Sequence, residues 1–308
     1  MKNLYTIADL RNWRETTAGI DPPIRLGVFG DPVEHSLSPQ MQNAALEHCG
    51  IAMRYTRFAI RADELEEALR LLPPLDFVGV NLTVPHKITA VPFMDEMSSD
   101  AGRIGAVNTV VVNDGKLVGF NTDGVGFAPA IRSEFGIDLR DLRVMLLGCG
   151  GAGQAIAAQC AIEGCERLVL VSRSTSKAEA LAAKLQSHFT DARVSGPVAR
   201  LQPLAWDERL IKAQIANIDL VVNATPAGMR MTDPPPLTGA MLAPHLMIYD
   251  TIYAPPRTPL IAAAGEVGAR AANGLSMLLH QGARSFELWF GREAPLPVMS
   301  AALSAINR

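Results

Sequence analysis

Polar residues recur at the ends of apolar runs in this sequence, in places where their chemistry could be shared. Ser36 and Ser38 lie two apart in "HSLSP", so an extended segment puts both hydroxyls on one face. Thr83 and Lys87 close the stretch "NLTVPHK", Asn108 sits in "GAVNT", and Thr122 and Asp123 sit in "GFNTDGVGF". Taken singly, each is an ordinary cap or turn residue. Taken together, they are expected to line the mouth of a parallel sheet, beyond the carboxyl ends of its strands, where such folds bind ligands. Hydroxyls, an amide, a lysine and a carboxylate suit a small polyhydroxy acid. They do not suit an apolar ligand, because buried donors and acceptors must be matched.

Lys87 is the residue that fits its setting least. If the apolar run before it is a strand and Pro85 opens a helix, Lys87 falls in the first helical turn. The helix dipole is positive there and mildly disfavours a cation. Lys87 is then either an ordinary solvated lysine or one whose charge is negotiable.

A second cluster points to a cofactor. Gly148, Gly150 and Gly153 spell G-x-G-x-x-G, completed by Gly151 and Ala152, with "VMLL" before the loop and an Ala-rich stretch after it. Small residues there let a pyrophosphate approach the backbone at a helix N-terminus. Versions that bind NAD carry an acid about 20 residues on, to hold the ribose 2′-hydroxyl. This chain has Ser172, Arg173, Ser174 and Lys177 instead. A carboxylate would repel a 2′-phosphate, whereas Arg173 and Lys177 pair with one, so NADP is the expected cofactor. A hydride acceptor carbonyl becomes an alkoxide and needs a proton as the hydride arrives. Lys87 is the candidate donor, with Asp123 to orient its ammonium and bind a substrate hydroxyl; such catalysis is typically worth roughly 10²–10⁴-fold.

The elements that must hold these residues read as alternating strands and helices. Strands are expected at 25–30, 53–60 and 77–83, with helices at 39–50 and 63–72, the latter opened by Asp63 and Glu66 at capping-box spacing. Residues 107–123 differ, because two apolar runs flank Asn113-Asp114-Gly115, a hairpin signal. A new strand–loop–helix unit begins at 142, with further strands in "RLVLVSRS", "IDLVVNATP" and "HLMIYDTIY", and a helical face spans 273–291. The fold class is therefore α/β with two domains, the second starting near 123. Residues 1–24 yield only an extra helix around "IADLRNWRE".

Composition narrows the partners. The 308 residues are 48% apolar and 19% charged with a net charge of −3, which gives no basic field for nucleic acid. No run reaches the length of a membrane span, and the first residues lack a signal peptide's apolar core, so a cytoplasmic protein is expected. Four cysteines without a CxxC pair read as free thiols, and six scattered histidines predict no metal.

From about residue 27 to 291, nine stretches resemble, in order, the motifs of the shikimate dehydrogenases. They are "GDPVEHSLSP", "NLTVPHK", "GAVNT", "GFNTDGVGF", "GCGGAG", "SRSTSK", "NATPAGM", "DTIYAPPRTPL" and "NGLSMLLHQGA". The resemblance implies NADP-dependent interconversion of shikimate and 3-dehydroshikimate, in the pathway to the aromatic amino acids. It implies a substrate domain of residues 1–122 plus 274–308, with a Rossmann domain of 123–273 inserted. Lys87 would be the acid/base group, with Asp123 as its partner. Ser36, Ser38, Thr83, Asn108, Thr122, Asp123, Tyr253 and Gln281 would bind substrate. Tyr253 otherwise reads as a packing residue and Gln281 as a polar flank of the last helix. The glycine loop, the Arg173 cluster, Ile252 and Gly274 would hold NADP. The partner is a small molecule, with neither nucleic acid nor membrane involved, and the protein is expected as a monomer or homodimer.

One departure bears on substrate choice. Many members have His-Asn where this chain has Gln42-Asn43, a pair also found in members resembling the quinate/shikimate dehydrogenases. Those often use NAD and carry an acid where Arg173 and Ser174 stand. An enzyme acting mainly on quinate is the alternative reading; a catalytically silent NADP-binding regulator is a third, which the presence of Lys87 and Asp123 disfavours.

Overall fold

A computed structural model describes residues 2–189, 199–230 and 232–305. The chain divides into two compact units, Met1–Asp123 with Leu278–Arg308, and Gly124–Met277.

The first unit holds strands β1 (Tyr5–Thr6), β2 (Ile24–Gly30), β3 (Arg54–Ala59), β4 (Gly79–Leu82), β5 (Glu96–Met97), β6 (Thr109–Asn113) and β7 (Lys116–Phe120). Their order in the sheet is β1-β3-β2-β4-β6-β7-β5. The first four are parallel, whereas β6 runs antiparallel to both β4 and β7. Strands β6 and β7 are joined by the hairpin turn, where Asp114 and Gly115 have φ of 48° and 76°, the positive pair that matches strand twist in a two-residue turn. Helices Ser38–His48 and Leu296–Ser304 pack together, and Trp289 Nε1, near the end of helix Leu275–Phe290, donates to Val110 O at 3.0 Å.

Tyr5, Ile7, Leu10, Trp13 and Ile24 of the N-terminal stretch are part of this core. The stretch expected as a helix, "IADLRNWRE", is helical in two short pieces, Ile7–Arg11 and Trp13–Thr16, and β1 precedes it. The Trp13 ring lies 5.2 Å from Tyr5, 5.5 Å from Phe58 and 5.4 Å from Phe77, and the residue is only 4% exposed. Trp13→Ala would leave a cavity among rings that cannot close over it. It should cost about 3–5 kcal/mol, seen as a lower midpoint in urea with the slope unchanged. A shift under about 1 kcal/mol would show that the segment only leans on the core.

One cap differs from expectation. The helix after β3 begins at Leu65, following a 3₁₀ turn Ala62–Glu64, and the Glu64 carboxylate accepts the Arg61 N–H at 2.9 Å. Asp63 pairs with the Arg61 guanidinium at 3.1 Å, as Glu64 also does at 3.2 Å.

The second unit holds β8 (Arg143–Leu147), β9 (Arg167–Ser172), β10 (Leu201–Ala205), β11 (Leu220–Asn223), β12 (Met247–Asp250) and β13 (Arg270–Asn273). All are parallel, in the order β10-β9-β8-β11-β12-β13, which is the doubly wound order of dinucleotide-binding sheets. Strand β8 is therefore central, and the loop leaving it opens beside the point where the winding reverses. Among the described residues, no helix is long and apolar enough to cross a membrane.

Candidate active site

Strand β4 ends at Leu82, and a turn leads into the short helix His86–Thr89, with Pro85 at its N-cap. Lys87 is thereby in the first helical turn, as its spacing predicts. Three backbone bonds fix this corner: Thr83 N–H to Phe29 O at 2.9 Å, His86 N–H to Thr83 O at 2.8 Å, and Val107 N–H to Lys87 O at 2.7 Å. Gly30 must lack a side chain here, because its Cβ would fall on the Thr83 methyl group. His86 is fully buried with Nε2 2.7 Å from Ile60 O, and burial holds it below the usual imidazole range. A neutral ring therefore stands beside the lysine.

Lys87 Nζ donates to Asp123 Oδ2 at 2.6 Å, with side-chain exposures of 16% and 5%. Asp123 opens helix Asp123–Phe135 just after β7, while its N–H donates to Asn121 Oδ1 at 3.1 Å. The other carboxylate oxygen, Oδ1, accepts from Asn108 Nδ2 at 2.9 Å. Asn108 also reaches Thr122 Oγ1 at 2.9 Å and Gln281 Oε1 at 3.4 Å, so its two amide hydrogens face three acceptors. Lys87, Asp123, Asn108, Thr122 and Gln281 thus form one hydrogen-bonded group.

The orientation of Asn108 is dictated from behind. Tyr55 O–H donates to Asn81 Oδ1 at 2.8 Å, which turns the Asn81 amide nitrogen toward Ser285 Oγ at 2.9 Å, Thr109 Oγ1 at 3.1 Å and Asn108 O at 3.2 Å. Thr109, accepting from Asn81, donates to Asn108 Oδ1 at 3.0 Å, and the Thr122 N–H reaches the same oxygen at 2.8 Å. With Oδ1 so committed, Asn108 can only present its N–H groups forward. Asn81, Thr109 and Ser285 were not among the residues expected from sequence. The signal for the first two was present, as polar side chains within apolar strands; nothing local marks Ser285, which meets its partners across the fold.

Ser36 and Ser38 form a pair of their own, at the start of helix Ser38–His48. Ser36 Oγ donates to Ser38 Oγ at 3.2 Å, and Arg57 holds Ser36 O through Nε at 2.9 Å and Nη2 at 2.6 Å. Gln42 and Asn43 are engaged with backbone: Gln42 Nε2 donates to Gly282 O at 2.8 Å, and Asn43 exchanges two bonds with Tyr55, at 2.9 and 2.8 Å.

In the second unit, the loop after β8 leads into the twelve-residue helix Gly151–Ile162, with Gly150 at its N-cap. Gly148 has φ of +102°, and a Cβ there would lie 2.7 Å from the Thr225 methyl group. A Cβ on Gly153 would strike the carbonyl of Gly148, a backbone atom that cannot yield. Gly150 faces open space, and Gly151 and Ala152 are half-buried in the first turn. The result is a helix N-terminus with exposed amides, suited to a pyrophosphate. Cys149, inside the loop, is buried and bonded to Ser172; burial pushes its thiol up to about 11, so it stays protonated.

At the end of β9, Ser172 is buried and its Oγ accepts the Ser174 N–H at 3.2 Å, a bond that shapes the turn. Arg173 and Lys177 are exposed, and among the described residues neither has a carboxylate partner. Ser174 stands at the N-cap position of helix Thr175–Leu185, its hydroxyl 2.9 Å from Ser176 Oγ. The donor set fits a 2′-phosphate. Beyond β12, Asp250 is fully buried, and burial pushes its carboxyl up to about 6 against bonds from Thr258 Oγ1, the Ile252 N–H and Asn223 Nδ2. These bonds fix the loop carrying Ile252, which is buried, and Tyr253, which is half-buried. Gly274 N–H donates to Ile252 O at 3.2 Å, and Gly274 lies so close to Thr251 O that no Cβ would fit.

Comparison with known proteins gives a consistent result. Residues 28–110 match the shikimate dehydrogenase substrate binding domain, 130–233 match shikimate / quinate 5-dehydrogenase, and 274–303 match the shikimate 5′-dehydrogenase C-terminal domain. The shikimate dehydrogenase (NADP(+)) of Methanopyrus kandleri is 42% identical over 280 residues, covering 90% of this chain and 94% of that protein. The crystal structure of shikimate 5-dehydrogenase from Thermus thermophilus with NADP(H) and shikimate has a TM-score of 0.78 at 34% identity, covering 92% of this chain and 99% of that one. Quinate dehydrogenase from Corynebacterium glutamicum in complex with NAD also has a TM-score of 0.78, at 32% identity and the same coverage.

Proposed function

The chain belongs to the shikimate dehydrogenase family, and from that premise we propose that it reversibly reduces 3-dehydroshikimate to shikimate with NADPH, Lys87 supplying the proton. The observation that carries this reading is the nearly buried Lys87–Asp123 pair, 2.6 Å apart, held by Asn108. When bound, NADPH supplies the hydride. The glycine loop and helix Gly151–Ile162 would hold its pyrophosphate, Arg173, Ser174 and Lys177 its 2′-phosphate, and Ile252 and Gly274 would complete the site.

The substrate carbonyl oxygen gains charge as hydride arrives, and the Lys87 ammonium gives up a proton to it; in the reverse direction the amine takes the hydroxyl proton. Asp123 holds Nζ in place, so the proton donor needs no search for its geometry. Ser36, Ser38, Thr83, Asn108, Thr122, Asp123, Tyr253 and Gln281 would bind the substrate's carboxylate and hydroxyls. The residues 1–122 with 274–308 serve as substrate domain and 123–273 as cofactor domain. We place the enzyme in the cytoplasm, on the route to chorismate and the aromatic amino acids, as a monomer or homodimer.

The test is direct. Purified protein receives shikimate or quinate with NADP⁺ or NAD⁺, and reduced cofactor is followed by absorbance. Shikimate with NADP⁺ should be the fastest pair. Faster turnover of quinate would replace the substrate assignment, and no turnover with any pair would sink the enzymatic reading.

A further inference from the structure

Gln42 belongs to no group that touches substrate or cofactor in the reading above, yet it is 1% exposed and carries an amide oxygen with no hydrogen-bond partner. A buried amide half of whose hydrogen bonding is wasted is costly, so the other half needs a purpose. Its nitrogen donates to Gly282 O at 2.8 Å, across 240 residues of sequence. Gly282 directly follows Gln281, whose Oε1 lies 3.4 Å from Asn108 Nδ2. Gln42 itself is four residues after Ser38, so the two lie on one face of helix Ser38–His48, one turn apart.

The two helices meet closely at this point. A Cβ on Gly282 would collide with the Met41 methyl group and lie 3.3 Å from Gln42 Nε2. Asn43 ties the same helix to β3 through its paired bonds with Tyr55. The helix bearing the serine pair is therefore pinned on one side to the sheet and on the other to the backbone beside Gln281. The Lys87–Asp123 pair is held by the turn after β4 and by Asn108, whose bonds to Asp123 and Thr122, each 2.9 Å, are shorter than its 3.4 Å contact with Gln281 and do not depend on it.

We propose that Gln42 is a positioning residue that sets the span between Ser36/Ser38 and Gln281, and so governs how tightly the substrate is held rather than how fast it reacts. This rests on the assignment of those residues to substrate binding. Groups that grip the substrate equally in ground and transition states act on KM, whereas the proton donor acts on kcat.

Gln42→Met keeps the volume and removes the donor. It should raise KM for shikimate about tenfold, with kcat within threefold and KM for NADP⁺ unchanged. Gln42→His, which restores an N–H donor, should recover most of the loss. Gly282→Ala, whose methyl group presses on the buried Met41 side chain and on Gln42 Nε2, should reproduce the raised shikimate KM, and it keeps the test open should Gln42→Met fail to fold. Wild-type KM for shikimate in a folded Gln42→Met protein or in Gly282→Ala would overturn the proposal. So would a Gln42→Met protein with equal losses for both substrates that histidine does not repair. An inactive wild-type enzyme would instead remove the functional reading beneath it, a distinct result.

Discussion

Lys87→Ala is expected to lower kcat roughly 10²–10⁴-fold, while shikimate still binds within about tenfold of its normal affinity. The asymmetry follows from when the charge is needed. In the ground state the ammonium is one donor among several, and the hydroxyls, amides and serine pair remain to hold the substrate. Only as the carbonyl oxygen becomes an alkoxide is a proton demanded, so the loss is concentrated in the transition state. The variant also leaves Asp123 bonded to Asn108 alone on the side-chain side, with its backbone still tied to Asn121. The carboxylate should therefore keep its place, and the defect should be chemical. Steady-state kinetics with a direct binding measurement of shikimate would separate the two. A kcat near that of the wild type would refute the acid/base role, and a loss confined to affinity would make Lys87 a binding residue.

The pattern of what could be foreseen has a physical basis. Lys87, Asp123, Asn108 and Thr122 announce themselves because a polar side chain at the end of an apolar run has few reasons to be there. The hairpin at Asp114-Gly115 was legible for a similar reason, since only certain residues accept two successive positive φ angles. Ser285 was not legible, because a serine on an amphipathic helix reads as its polar flank until the fold brings Asn81, Thr109 and Thr122 against it. The four unread strands, β1, β5, β10 and β13, all lie at sheet edges. Strand β10 contains Pro203, which an edge tolerates, and β13, "RAAN", is too exposed to show an apolar pattern. The capping box was misplaced because a 3₁₀ turn precedes the helix and moves the capping pair to Arg61 and Glu64, which spacing alone does not reveal. Local chemistry was readable; long-range pairing was not.

Arg173→Asp is expected to move cofactor preference from NADP toward NAD, lowering the ratio of kcat/KM for the two by about a hundredfold or more. Hydrogen bonds to charged groups contribute about 1.5–3 kcal/mol each, and roughly 1.4 kcal/mol is a factor of ten. Losing the guanidinium therefore accounts for one to two decades, and the new carboxylate adds repulsion toward a phosphate. NAD lacks that phosphate and has a ribose hydroxyl for the same carboxylate to accept. The turn should survive the change, since it is shaped by Ser172 accepting the Ser174 N–H and Arg173 is exposed. Turnover with saturating NAD⁺ should also persist, because the proton machinery of Lys87 and Asp123 draws on none of these groups. Kinetics with both cofactors, compared with Lys177→Ala, would divide the work between the two cations. An unchanged ratio in Arg173→Asp would mean that Lys177 and the N-terminus of helix Thr175–Leu185 read the phosphate without it.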